Sequence, residues 1–343
     1  MLKKILNIKP RFLTIIPTHK CSASCQECCF RCTPRIKHIM KYETIIKYID
    51  KSLKTYPSIQ VVVITGGECF LLGKQLDKII KHAASHKIIT RVVTNGFWAT
   101  SYKAAYNRLK SLATAGLVEL NLSTGDNHQE FVKFECIVNA IQAAHDVGIK
   151  TICVSIETKP NATFTSNIIQ NHSELKPLIE KKVLHIINAS WMNFRKSPEQ
   201  SSTLAMHLNH KRPCPNIFTE IVINPYSQLL SCCGLTVEYN KYLKIGNIET
   251  NSIKELYEKQ FNDLYKFWLF IDGPEFIYEK LMSIRKLPKH TFPHECAYCI
   301  EIVKDNENIN LLKEIIKTEL PNIIFRYKIR NNNFRLIHRY ENK

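Results

Sequence analysis

Short β-branched apolar runs alternate along the first half of the chain with longer stretches in which apolar residues return every three or four positions. The runs at 11–16, 60–65, 90–94, 118–123, 151–156 and 183–187 predict strands. The stretches at 42–55, 76–86, 102–115 and 131–147 predict amphipathic helices, the last closed by Gly148, and a fainter one falls at 173–181. Six strands separated by helices predict an α/β fold with a parallel sheet, open or curled into a partial barrel, in which ligands gather at the C-terminal strand ends. Beyond residue 200 the pattern changes to a hairpin at 220–231, a short apolar run at 245–248, a helix at 252–257 and a final helix at 311–320.

The strand ends carry the chemistry. The first leads into Cys21, Cys25 and Cys28, spaced C-x3-C-x2-C; the second ends in Gly66-Gly67-Glu68, the third in Asn95-Gly96, the fourth in Ser123-Thr124-Gly125-Asp126 with His128 close by. Each Gly-containing turn alone is a common turn signal. Four such motifs on successive strands would converge on one rim. Three thiolates at this spacing can hold three irons of a [4Fe-4S] cluster and leave the fourth open to a ligand. A zinc knuckle that uses His19 or Cys32 as fourth ligand is the competing reading of the same spacing.

Composition narrows the setting. The 343 residues include 13 cysteines and a net charge of +18. No apolar stretch approaches the ~18 residues of a membrane span, and the first nine residues lack the apolar core of a secretion signal. Thirteen cysteines in such a chain point to metal or redox chemistry in the cytoplasm rather than to a disulfide framework. The positive charge suits an acidic partner, but the lysines are scattered, which fits a diffuse field better than a nucleic-acid stripe.

These motifs resemble the radical S-adenosylmethionine (SAM) superfamily over 11–190. The resemblance implies a partial parallel (β/α)6 barrel in which Cys21, Cys25 and Cys28 hold a [4Fe-4S] cluster whose open iron chelates SAM. It also implies that Gly66, Gly67 and Glu68 receive the methionine amino group. Asn95, Ser123 and Asp126 are further cofactor contacts, the last two toward the ribose or carboxylate. Glu27 stands where the family usually has an aromatic residue, and Phe30 is a candidate to compensate. In such enzymes a reduced cluster cleaves SAM to a 5′-deoxyadenosyl radical that removes a hydrogen from the substrate.

Cys214, Cys232, Cys233, Cys296 and Cys299 over 205–305 resemble the auxiliary-cluster extensions called SPASM and twitch domains, with 306–343 as a basic tail. Five cysteines suit one auxiliary [4Fe-4S] cluster rather than two. Adjacent residues of an extended strand point to opposite faces, so only one of Cys232 and Cys233 is a ligand. The family pattern gives the position to Cys232, beside Cys214, Cys296 and Cys299. Cys233, or else Cys232, is then a candidate hydrogen donor.

Cys28-Cys29-Phe30-Arg31-Cys32 is similar to a group of peptide epimerases, which implies L-to-D epimerisation of residues in a ribosomally made precursor peptide. The implied partners are that precursor and an electron donor such as flavodoxin or ferredoxin, with neither membrane nor nucleic acid. Thioether or carbon crosslinking of a peptide is the alternative within the superfamily. It is disfavoured because the first strand begins at Arg11 with no leader-binding domain before it. A zinc-stapled nucleic-acid-binding protein is the alternative from another class.

Overall fold

The structure, a computed structural model, describes residues 8–159, 161–190, 192, 194 and 212–341, with the backbone alone over 331–341. The start of the chain, 1–7, and the side chains of the basic tail at 335–340 lie outside the described residues. Six parallel strands form the first part: β1 (Phe12–Ile15), β2 (Val61–Ile64), β3 (Ile89–Thr94), β4 (Glu119–Thr124), β5 (Thr151–Thr158) and β6 (Leu184–Ser190). They lie side by side in chain order, so every expected strand is present and the α/β partial-barrel class holds. β1 and β2 are apolar at nearly every position because helices and loops cover both faces of a parallel sheet.

The connecting helices are α1 (Tyr42–Thr55), α2 (Lys74–Ser85), α3 (Tyr102–Ala115), the short α4 (Asp126–Gln129) and α5 (Phe134–Asp146). Each long one turns a single apolar stripe to the sheet: in α1, Ile45, Tyr48, Ile49 and Ser52 are buried, and in α2, Leu76, Ile79, Ile80 and Ala83. α3 begins where the Ser101 side chain accepts from the Ala104 amide and stops at Gly116 in the left-handed region. The helix expected from 131 starts at Phe134, because His128 O first accepts the amides of Phe131 and Val132 and closes a separate turn. The faint helix at 173–181 is present as the short α7 (Lys176–Glu180), and it is preceded by α6 (Ser166–Gln170), which the polar pattern after β5 does not predict.

The second part joins the same sheet. β7 (Glu220–Ile223) pairs parallel with β1, opposite β2, and is followed by antiparallel β8 (Gln228–Leu230) and β9 (Lys244–Asn247). The sheet therefore runs β6-β5-β4-β3-β2-β1-β7-β8-β9, with β1 linking the two parts. Around β7–β9 pack α8 (Ile253–Lys259), α9 (Leu264–Arg285), α10 (Glu295–Ile302) and the long α11 (Asn306–Glu341). α9 is bent at Gly273-Pro274, where Gly273 has φ 81 and its Cα faces the Arg212 carbonyl so closely that a Cβ would lie 1.8 Å from that oxygen.

Candidate functional site

The loop after β1 carries the three cysteines and is clamped at its base. Thr18 Oγ1 donates to His38 O at 2.6 Å, Cys21 N to Thr33 O at 3.2 Å, and the Lys20 amide to Thr18 Oγ1 at 2.8 Å. Within the loop the sulfurs accept backbone donors: Ala23 N reaches Cys21 Sγ at 3.4 Å and Cys32 N reaches Cys28 Sγ at 3.3 Å. Asn95 Nδ2, from the end of β3, adds a side-chain donor to Cys21 Sγ at 3.6 Å and bonds Ser22 Oγ at 3.0 Å. Burial pushes the Cys21 thiol up to about 11 and the Cys25 thiol up to about 12. The chain by itself keeps these thiols protonated, and a bound cationic iron centre is what would ionise them.

The turn after β2 packs on that loop. Gly67 N donates to Thr18 O at 2.8 Å and Glu68 N to Lys20 O at 2.9 Å. A Cβ on Gly67 would lie 2.1 Å from Lys20 O, so only glycine lets the two backbones meet. Glu68 is fully buried. Its carboxylate accepts from Phe70 N at 2.9 Å, Thr94 Oγ1 at 2.8 Å and Asn95 N at 2.8 Å. These bonds use the side chain to hold the β2 and β3 ends together, which leaves it outside the cavity wall. Burial raises its carboxyl to about 7 despite the three donors.

The cavity itself has a volume of about 390 Å³. Cys21, Cys25, Cys28, Gly66, Gly67, Asn95 and Ser123 line it, together with Cys233 from the second part of the chain. Asp126 does not. Its carboxylate receives Thr163 N at 3.1 Å, Thr163 Oγ1 at 2.7 Å and Phe164 N at 2.7 Å, and Lys159 lies 3.5 Å away, so it anchors the segment after β5. The cavity wall also takes in Asn121 and Ser155, polar residues of β4 and β5 that no motif announces. Glu157 at the end of β5 is buried, accepts the Asn127 amide and stands 3.6 Å from His128 Nδ1. Glu27 turns toward this group; burial, and then the Glu157 charge, raise its carboxyl. Phe30 stacks on His19 at 5.3 Å and contributes an aromatic face to the cavity.

A second thiol group lies behind β7 and β8. Built on Gly234, a Cβ would touch Cys296 Sγ at 3.1 Å and Cys232 Sγ at 3.4 Å, so both sulfurs flank that glycine. The Cys232 thiol is raised by burial and then by the fields of Cys214, Glu220, Cys296 and Cys299, which places the four cysteines in one neighbourhood. Tyr265 Oη stands 3.5 Å from Cys299 Sγ, and Asn240 Nδ2 3.7 Å. Cys233 faces the other way, into the first cavity, with its amide on Glu220 Oε1 at 2.7 Å. Among the described residues, no three of the cysteine sulfurs lie within 4.8 Å of one another. Tetrahedral zinc with Zn–S near 2.3 Å would draw them to about 3.8 Å. The donor sets suit a larger cluster.

Cys153 is buried in β5 and Cys69 is buried with its Sγ on Val93 O at 3.3 Å, whereas Cys136 on α5 is half-buried. Cys29 and Cys32 line the cavity. A larger cavity of about 730 Å³ opens between β9, the start of α9 and α11, but it contains no part of the cysteine loop, and Tyr265 separates it from Cys299. We place the chemistry in the smaller one, where the thiols and strand ends converge.

Residues 15–158 match the radical SAM superfamily. Over 302 residues the chain is 24% identical to YydG of Bacillus subtilis (strain 168), a protein whose name assigns it provisionally to peptide biosynthesis; the match covers 85% of this chain and 91% of that one. Among solved structures, native anSMEcpe with bound AdoMet and Cp18Cys peptide superposes with a TM-score of 0.52 at 16% identity, covering 94% of this chain and 99% of that chain. Native anSMEcpe with bound AdoMet gives 0.50 at 14% identity, over 90% and 100%. At these identities the structural likeness concerns the fold.

Proposed function

We propose that this chain, which carries a radical SAM domain at residues 15–158, epimerises L-residues of a ribosomally made precursor peptide to D-residues. The observation that carries the reading is the split of the adjacent pair: Cys232 turns to Cys214, Cys296 and Cys299, and Cys233 lines the cavity of the cysteine loop. The peptide-biosynthesis name of the Bacillus subtilis relative supports a peptide as substrate.

In this reading Cys21, Cys25 and Cys28 hold the first [4Fe-4S] cluster, and Gly66, Gly67, Asn95 and Ser123 border the SAM pocket. Cys214, Cys232, Cys296 and Cys299 hold one auxiliary [4Fe-4S] cluster. When bound, the reduced cluster and SAM supply a carbon-centred radical that removes the α-hydrogen of the peptide residue. Cys233 then gives up its sulfur-bound hydrogen atom to the opposite face of the α-carbon, as its S–H bond breaks and the new C–H bond forms. One electron and one proton restore the thiol. The electron comes from the same low-potential donor, of the flavodoxin or ferredoxin class, that reduces the first cluster. Val93 and Thr94 line the cavity and Cys69 backs them with its Sγ on Val93 O, an arrangement that favours keeping water from the radical. No helix among the described residues is long and apolar enough to cross a membrane. Among the described residues all 13 cysteines are free thiols.

Turnover of the precursor in heavy water is the test. One deuterium should appear at each altered α-carbon, and Cys233→Ala should abolish the D-residue while SAM is still cleaved. Unimpaired epimerisation by that variant would sink the assignment, and a product lighter by two hydrogens would identify crosslinking instead.

A further inference from the structure

α1 and α2 pack side by side on the outside of the sheet, and near their C-terminal ends three ligand atoms converge. Asp50 projects from α1, His82 lies in the last turn of α2, and His86 caps that helix one turn later. His82 Nε2 lies 2.6 Å from Asp50 Oδ1, and His86 Nε2 lies 3.1 Å from the same oxygen. The two rings meet edge-on at 5.1 Å. Among the described residues this is the single trio of histidine, cysteine or acidic groups whose ligand atoms all lie within 4.8 Å of one another. A simple ion pair would engage one imidazole; here the second aims the same nitrogen at the same oxygen.

We propose that Asp50, His82 and His86 form a binding site for a divalent transition ion of the zinc class, separate from both thiol groups. Two imidazole nitrogens and one carboxylate oxygen suit zinc or its late first-row neighbours and disfavour calcium and magnesium, which take oxygen shells. Two histidines four residues apart share one helix face, as such sites require. Metal–ligand bonds of 2.0–2.2 Å in a tetrahedron set ligand atoms about 3.3 Å apart, so the present spacings need only a small opening. The side chains of Asp50, His86 and His82 are 48%, 40% and 26% exposed, which leaves room for water as fourth ligand and makes the ion exchangeable.

The position decides what the ion does. α1 follows the cysteine loop and α2 follows the Gly66-Gly67-Glu68 turn, so both helices start at the catalytic rim and run away from it. The trio lies toward their far ends. The ion therefore ties α1 to α2 on the side of the barrel that governs stability, and it takes no part in turnover.

The test uses the full-length, cluster-loaded protein, stripped of loose metal and titrated anaerobically with Zn2+. The wild type should take up one zinc per chain with no loss of iron, and its melting temperature should rise by roughly 5 °C at a hundredfold excess over the dissociation constant. SAM cleavage should stay unchanged. His82→Ala and Asp50→Asn, both at solvent-accessible positions, should fold normally and lose the uptake and the thermal shift together. The proposal is overturned if the wild type takes up no zinc, or if both variants bind as much as the wild type does, since the ion would then sit on the thiols.

Discussion

Glu220 shows how one side chain links the two parts of the site. It opens the buried strand β7, accepts the Cys233 amide, and has its carboxyl raised to about 7 by burial. A carboxyl whose folded value exceeds its ordinary 4.5 contributes stability that is complete below about pH 4.5 and is lost as the pH rises through 7. The full effect is on the order of 3 kcal/mol. We expect thermal denaturation of the wild type to show a melting temperature that falls between about pH 4.5 and 7, and Glu220→Gln to fall less steeply. Glu68, raised in the same direction, keeps some slope in the variant. At this scale the sequence reveals the thiols well, because cysteine spacing and the alternation of adjacent side chains are local rules. The carboxylates are less legible. Glu68 and Asp126 stand in the expected motifs yet spend their oxygens on Thr94 and Thr163, partners that only the folded chain brings near. Glu157 lies near the end of an ordinary strand and has no motif at all.

Among the elements, the turn after β2 is the piece on which the cysteine loop rests. Gly67→Ala would drive a methyl group into Lys20 O, a backbone atom that can yield only if the loop moves. We expect a destabilisation of about 1–3 kcal/mol by chemical denaturation, with less iron retained at the first cluster. The six strands and the long helices of the first part are legible because each buries one stripe or a short apolar run. α9 is not. Residues from Tyr265 to Met282 are buried on several sides, so no 3.6-residue period stands out, and Gly273-Pro274 reads as a break. α10, only eight residues long, carries Cys296 and Cys299 on a helix that the C-x2-C spacing alone does not distinguish from a turn.

Across the whole molecule, one continuous sheet underlies both thiol groups, and the assignment of each can be counted. With both clusters in place the chain should bind about eight irons. Cys299→Ala should fall to about four and still cleave SAM, as read by iron analysis and product chromatography. An unchanged iron count would remove the auxiliary cluster from the reading. The pairing that unites the sheet also bears on how the chain is made. β1 finds β2 early, but its other edge waits for β7, about 200 residues later. At roughly 5–20 residues per second, that edge stays open on the ribosome for some 10–40 s. The exposed strand is Phe12-Leu13-Thr14-Ile15, apolar and without a charge or proline to discourage a stray partner. The strand that later unites both halves is thus, during synthesis, the segment most in need of a chaperone's shelter.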